Sequence, residues 1–86
     1  MKETQTDSAV TLFVVPNCPL CTNARAWLAR NEISYVERDV KQDFGALREM
    51  YRLTGQNLVP VFARGERALV RPSDAQLTDF LVNRES

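Results

Sequence analysis

The sequence predicts an α/β fold, a four-stranded mixed sheet flanked by three helices in the order β-α-β-α-β-β-α. Three observations predict it. Apolar runs of strand length alternate with amphipathic runs of helix length. A helical run separates the first two strands, which calls for a parallel pair with a right-handed crossover. Only "RGE" separates the last two, which calls for a hairpin.

Each element carries its own signal. Residues 9–15, "AVTLFVV", are almost continuously apolar, as suits a central strand covered on both faces, and Pro16 ends the run. From Pro19 to Arg30 the period becomes helical, with Leu20, Ala24, Trp27 and Leu28 on one stripe. Pro19 suits a first helical turn, where its missing N–H has no cost. Residues 33–40, "ISYVERDV", read as a second strand, with Ile33 and Tyr35 on one side and Ser34 and Val36 on the other. "DFGALREMYRLTG" reads as a helix capped by Asp43, with Phe44, Leu47 and Tyr51 turned inward and Gly55 as its stop. Residues 59–63, "VPVFA", give a third strand and "RALV" a fourth. "PSDAQLTDFLVNR" closes the chain as a helix opened by Pro72 or Ser73, with Leu77, Phe80 and Leu81 inward.

Composition narrows the function. The 86 residues suit one small domain, residues 9–86, behind a polar lead-in, residues 1–8, expected to be disordered. The 44% apolar and 26% charged fractions are those of an ordinary globule, expected as a monomer. Eleven basic residues balance 11 acidic ones, without the basic surplus of a nucleic-acid binder. No run approaches the ~20 apolar residues of a membrane span. The start, "MKETQTDSAV", has no apolar stretch of the secretory kind, so a cytoplasmic protein is expected. There is no histidine, which removes Ser-His-Asp and Cys-His pairs and His-based metal sites. Thiol chemistry is the main chemistry left.

The chain's two cysteines, Cys18 and Cys21, lie in "NCPLC", between the first strand and the first helix. That is the carboxyl end of the strands, where open α/β sheets place their sites. Free N–H groups at a helix start favour an anion, and a thiolate is the nucleophile of disulfide exchange. Cys18 is therefore expected to attack, with a lowered thiol pKa. Cys21, in the first turn, is placed to resolve the mixed disulfide. Arg25, one turn on, is expected to add a modest charge effect. Two other readings compete. The pair is an inert part of the core, or it is half of a zinc site, whose other two ligands would be carboxylates or come from a second chain.

The stretches "VTLFVVPNCPLCTNARAWLARNEISYVERDV" and "LTGQNLVPVFARGE" together resemble the glutaredoxin branch of the thioredoxin-fold superfamily, over about residues 9–82. The resemblance implies a cis Val59–Pro60 bond lying against the cysteine pair. It also implies a substrate strand pairing with the Val59 backbone and electrons supplied by glutathione or thioredoxin reductase. Protein or small disulfides are the implied substrates, with no tightly bound cofactor and glutathione at most a co-substrate. Glutathione-using members carry a Lys where this chain has Val15, an aromatic at Leu20, a Thr at Leu58, and a Gly-Gly before the last helix. Here "LVRPSDAQL" leaves Ser73 and Asp74 as the candidate anion-recognising or capping residues. "VRP", with Arg71, is similar to the "FRP" of glutaredoxin-like proteins that reduce ribonucleotide reductase. Leu20, Val59, Pro60, Arg71, Ser73 and Asp74 are thus the candidate substrate-binding residues. Two further functions stay open: an iron–sulfur scaffold and a non-catalytic binding module that keeps the fold.

Overall fold

The computed structural model of the chain describes residues 9–82; the expected lead-in, residues 1–8, lies outside the described residues. The elements are β1 (Val10–Val14), α1 (Pro19–Arg30), β2 (Tyr35–Asp39), α2 (Phe44–Thr54), β3 (Val61–Arg64), β4 (Arg67–Val70) and α3 (Asp74–Leu77). The last continues as a π-helical turn, Thr78–Val82. The sheet order is β2-β1-β3-β4. β1 runs parallel to β2, and the other two pairings are antiparallel. This is the four-stranded mixed sheet with flanking helices that the alternation predicts, and the thioredoxin-like architecture that the resemblance implies.

β1 is interior because both of its faces are covered. Leu12 and Phe13 point to opposite sides of the sheet, and both are fully buried. Phe62, directly across from Leu12, lines a groove with residues of α1 and α3, so that face carries these two helices. The opposite face carries α2, which packs on β2 and β4. Arg38, the register partner of Phe13, bonds there to Asp43 at the start of α2.

Several expected boundaries and faces shift. β2 starts at Tyr35, not residue 33, and β3 at Val61, after the proline, which has no N–H for a ladder. In α1, Ala24, Trp27 and Leu28 are buried as expected, but Leu20 is 47% exposed. Cys21 takes the inward place in the first turn. In α2 the expected stripe holds only at Leu47, which packs against the core: Phe44 is 75% and Tyr51 53% exposed, while Ala46 and Met50 are buried. A small residue at 46 lets the helix lie close to the sheet, and this sets the rotation that aromatic spacing alone suggests differently. Asp43 and Gly55 do cap α2, the glycine at φ 70° in the left-handed region. Leu77, Phe80 and Leu81 are inward as expected.

A candidate dithiol site at the carboxyl end of β1

The chain leaves β1 through Val15 and Pro16 and turns at Asn17, whose φ is 57°. Asparagine tolerates this left-handed geometry better than most side chains. Cys18 follows in extended backbone as the N-cap of α1, with Pro19 behind it in the first turn. The Cys18 Sγ accepts the Cys21 N–H at 3.1 Å. Its carbonyl accepts the Thr22 N–H at 3.0 Å. The half-buried Cys18 sulfur is thus fixed at the N-terminus of α1, against the free N–H groups of the first turn.

Cys21 has the opposite environment. It is fully buried and not disulfide-bonded to Cys18. Burial, then the hydrogen bond with Cys18, pushes its thiol up to about 11, against smaller opposing effects from the Val15 backbone and Arg25. The expected influence of Arg25 is slight for a reason. Its guanidinium makes a two-pronged pair with Glu37, at 2.9 and 3.0 Å, which answers most of its charge.

The other wall comes from the hairpin. The Val59–Pro60 bond is cis, and both residues are buried. The β1–β3 register, continued by two places past Phe13 and Val61, sets Val59 opposite Val15, three residues before Cys18. The β3–β4 register, continued by one, sets Arg71 opposite Pro60, and the Arg71 N–H donates to the Pro60 carbonyl at 3.0 Å. Arg71 has a φ of 47° and donates its Nε–H to the Val59 carbonyl at 2.7 Å. Two of the six candidate substrate-binding residues, Val59 and Arg71, are therefore bonded to each other.

A groove of about 210 Å³ runs from this point between α1 and α3. Leu20, Pro60, Arg71 and Asp74 line it, so four of the candidate residues meet there. Its floor adds Ala24, Trp27, Phe62 and Leu77, core residues by spacing whose edges also face the groove. Ser73 is not among the lining residues. Its Oγ accepts the Gln76 N–H at 3.2 Å, and Gln76 accepts the Ser73 N–H at 2.8 Å, a complete capping box. Ser73 and Gln76 announce that box by their spacing. The Arg71–Val59 bond has no local signal, because it depends on hairpin register. Among the described residues no three His, Cys, Asp or Glu side chains gather as a metal site, and no helix is long and apolar enough to cross a membrane.

Known proteins agree with the architecture. Residues 10–68 match the Glutaredoxin family. The glutaredoxin of Archaeoglobus fulgidus superposes with a TM-score of 0.78 at 17% identity, over 99% of this chain and 96% of that one. A crystallised thioredoxin-like protein superposes at 0.77 with 22% identity, over 84% of this chain and 99% of that one. At these identities the likeness is one of fold. In sequence, the chain is 38% identical over 48 residues to the "Global transcriptional regulator Spx" of Bacillus subtilis. That match takes in 52% of this chain but 37% of the regulator, so the chain spans well under half the length of this curated relative. With the family match over residues 10–68, the chain belongs to the glutaredoxin family, and the solved structures share its fold.

Proposed function

We propose that the protein is a small dithiol-disulfide oxidoreductase. The observation that carries the reading is the asymmetry of the pair: Cys18 caps α1 with its sulfur, while Cys21 is buried below it with a raised pKa. The Cys18 thiolate attacks one sulfur of a substrate disulfide. A Cys18–substrate disulfide forms, the substrate S–S bond breaks, and the leaving thiolate takes a proton. Cys21 then gives up its proton and attacks the Cys18 sulfur. The second substrate thiolate leaves, and Cys18–Cys21 is now oxidised. Two electrons have passed from the cysteine pair to the substrate, and a thiol or a dithiol reductase must return them.

A Cys21 thiol held protonated suits a resolving group. It does not compete with Cys18 for the first attack, and it reacts as it loses its proton beside the mixed disulfide. Glutathione and thioredoxin reductase are the two candidate donors. The absence of the expected Lys, aromatic, Thr and Gly-Gly at Val15, Leu20, Leu58 and before the last helix favours the reductase. Such turnover belongs in a reducing compartment such as the cytoplasm, with the protein acting as a monomer on protein disulfides.

The test gives the oxidised protein NADPH with either thioredoxin reductase or glutathione plus its own reductase, and follows NADPH loss against insulin disulfides. Turnover through thioredoxin reductase is expected. Turnover through glutathione alone would reverse the donor assignment. The Cys21→Ser protein is expected to accumulate a mixed disulfide, seen as added mass, and its absence would remove the resolving role. Because a sequence relative is named as a transcriptional regulator, a binding module that retains the cysteines is the second reading. Reduction of one disulfide per protein and no more, with both donors, would favour it.

A further inference from the structure

The Val59 backbone is where an extended substrate would pair beside the attacked disulfide. Such pairing needs one free N–H and one free C=O on the same residue. Here the carbonyl already accepts the Arg71 Nε–H at 2.7 Å, a short, charge-assisted bond. The Val59 N–H has no partner among the described residues. Arg71 is held on both sides, by that bond and by its own N–H on the Pro60 carbonyl. Its remaining guanidinium N–H groups bond to no carboxylate among the described residues, although Asp74 lines the same groove. An approaching substrate therefore meets the Val59 N–H and the outer Arg71 N–H groups, beside a Val59 carbonyl with one of its two lone pairs already engaged. A run of donors is matched by acceptors, and the best acceptor for a guanidinium is a carboxylate.

We propose that Arg71 is a substrate-recognition residue that selects disulfides carrying a carboxylate next to the attacked cysteine. Its Nε holds the Val59 carbonyl, and its outer nitrogens receive the substrate's acidic group at the mouth of the groove. The inference rests on the oxidoreductase reading above. Asp74 opposes it by charge: it repels an acidic segment and keeps the preference moderate.

The test compares two peptide disulfides, identical except for Glu or Gln beside the cysteine, reduced by the dithiol form of the protein. A third substrate, glutathione disulfide, distinguishes a small-molecule carboxylate from one on a longer peptide. Neutral dithiodipyridine reports Cys18 reactivity with no carboxylate present. For a partly exposed guanidinium–carboxylate contact, the Glu peptide should be reduced about three- to tenfold faster than the Gln peptide. Arg71→Gln should bring the ratio close to one, Arg71→Lys should keep part of it, and Asp74→Asn should raise it. The preference should shrink as salt rises. A ratio near one in the unaltered protein, or a ratio that survives Arg71→Gln, overturns the inference while dithiodipyridine still reacts. If dithiodipyridine and every disulfide fail to react, the oxidoreductase reading falls and the inference falls with it. Circular dichroism of each variant separates loss of recognition from loss of fold.

Discussion

The starts of α1 and α2 make the same bond with different atoms. At α2 the Asp43 Oδ1 accepts the Ala46 N–H at 3.1 Å. At α1 the Cys18 Sγ accepts the Cys21 N–H, also at 3.1 Å. A carboxylate oxygen is a strong acceptor and complements the helix dipole. A neutral thiol sulfur is a weak one. Neither helix has an acidic residue in its first turn, so the cap itself makes the difference. As a stabilising cap, Cys18 is therefore the poorer choice. What the position provides instead is a half-buried sulfur held at the start of α1, with Cys21 directly below it. One helix start is built for stability and the other for reactivity.

The sharpest way to break that comparison is Cys18→Ser. The hydroxyl is a preferred cap, so stability should hold or rise by up to ~1 kcal/mol. Disulfide reduction should fall by at least about a thousandfold, the scale of removing a nucleophile. Urea unfolding and the insulin assay, run on the same preparation, read both. A matching drop in stability and activity would mean that Cys18 is mainly structural.

The next effect concerns pH. The Cys21 thiol is raised by burial first, from 9.0 to about 11. An acid whose folded pKa is raised keeps its proton when folded and loses it when unfolded across that interval. Its contribution is fully present below pH ~9 and is lost as pH climbs toward ~11. Unfolding free energy of the reduced protein should therefore decline between these values, and more steeply than in Cys21→Ala. Asp43 has the opposite sign. The Ala46 N–H, helped by the Arg38 charge, holds its carboxyl below the usual range. That contribution is present at neutral pH and lost as pH falls through the folded pKa. Equal slopes in the wild type and Cys21→Ala would show that Cys21 does not have the buried environment described here.

Sequence reading reached the order of elements along the chain, the parallel first pair, the hairpin, both caps of α2 and the position of the cysteines. These are local or topological properties, written in Pro, Gly, Asp and hydrophobic period. It missed what depends on rotation and register. Phe44 and Tyr51 have the spacing of a buried stripe, yet Ala46 and Met50 are the residues that meet the sheet. Leu20 has the spacing of a core residue, yet Cys21 takes the inward place and Leu20 lines the groove. In sequence Arg71 stands out only through the "VRP" of the resemblance. Only the paired register of β3 and β4 brings its side chain onto the Val59 carbonyl.

The smallest expected effect separates two roles for Ser73, which has the capping geometry of Asp43 but lies beside the groove rather than in it. Ser73→Ala removes the oxygen that accepts the Gln76 N–H, and so half of the capping box. The cost should be about 0.5–2 kcal/mol, read as a lower urea midpoint. Its effect on disulfide reduction should be no larger than partial loosening of α3 explains. Ser73→Asp, which keeps an acceptor at the cap and adds a charge that suits a helix start, should restore the midpoint. If Ser73 met the substrate through its hydroxyl, Ser73→Asp would recover stability and leave the rate low. Recovery of both would place Ser73 with Asp43, as a cap, and leave recognition to Arg71 and its neighbours in the groove.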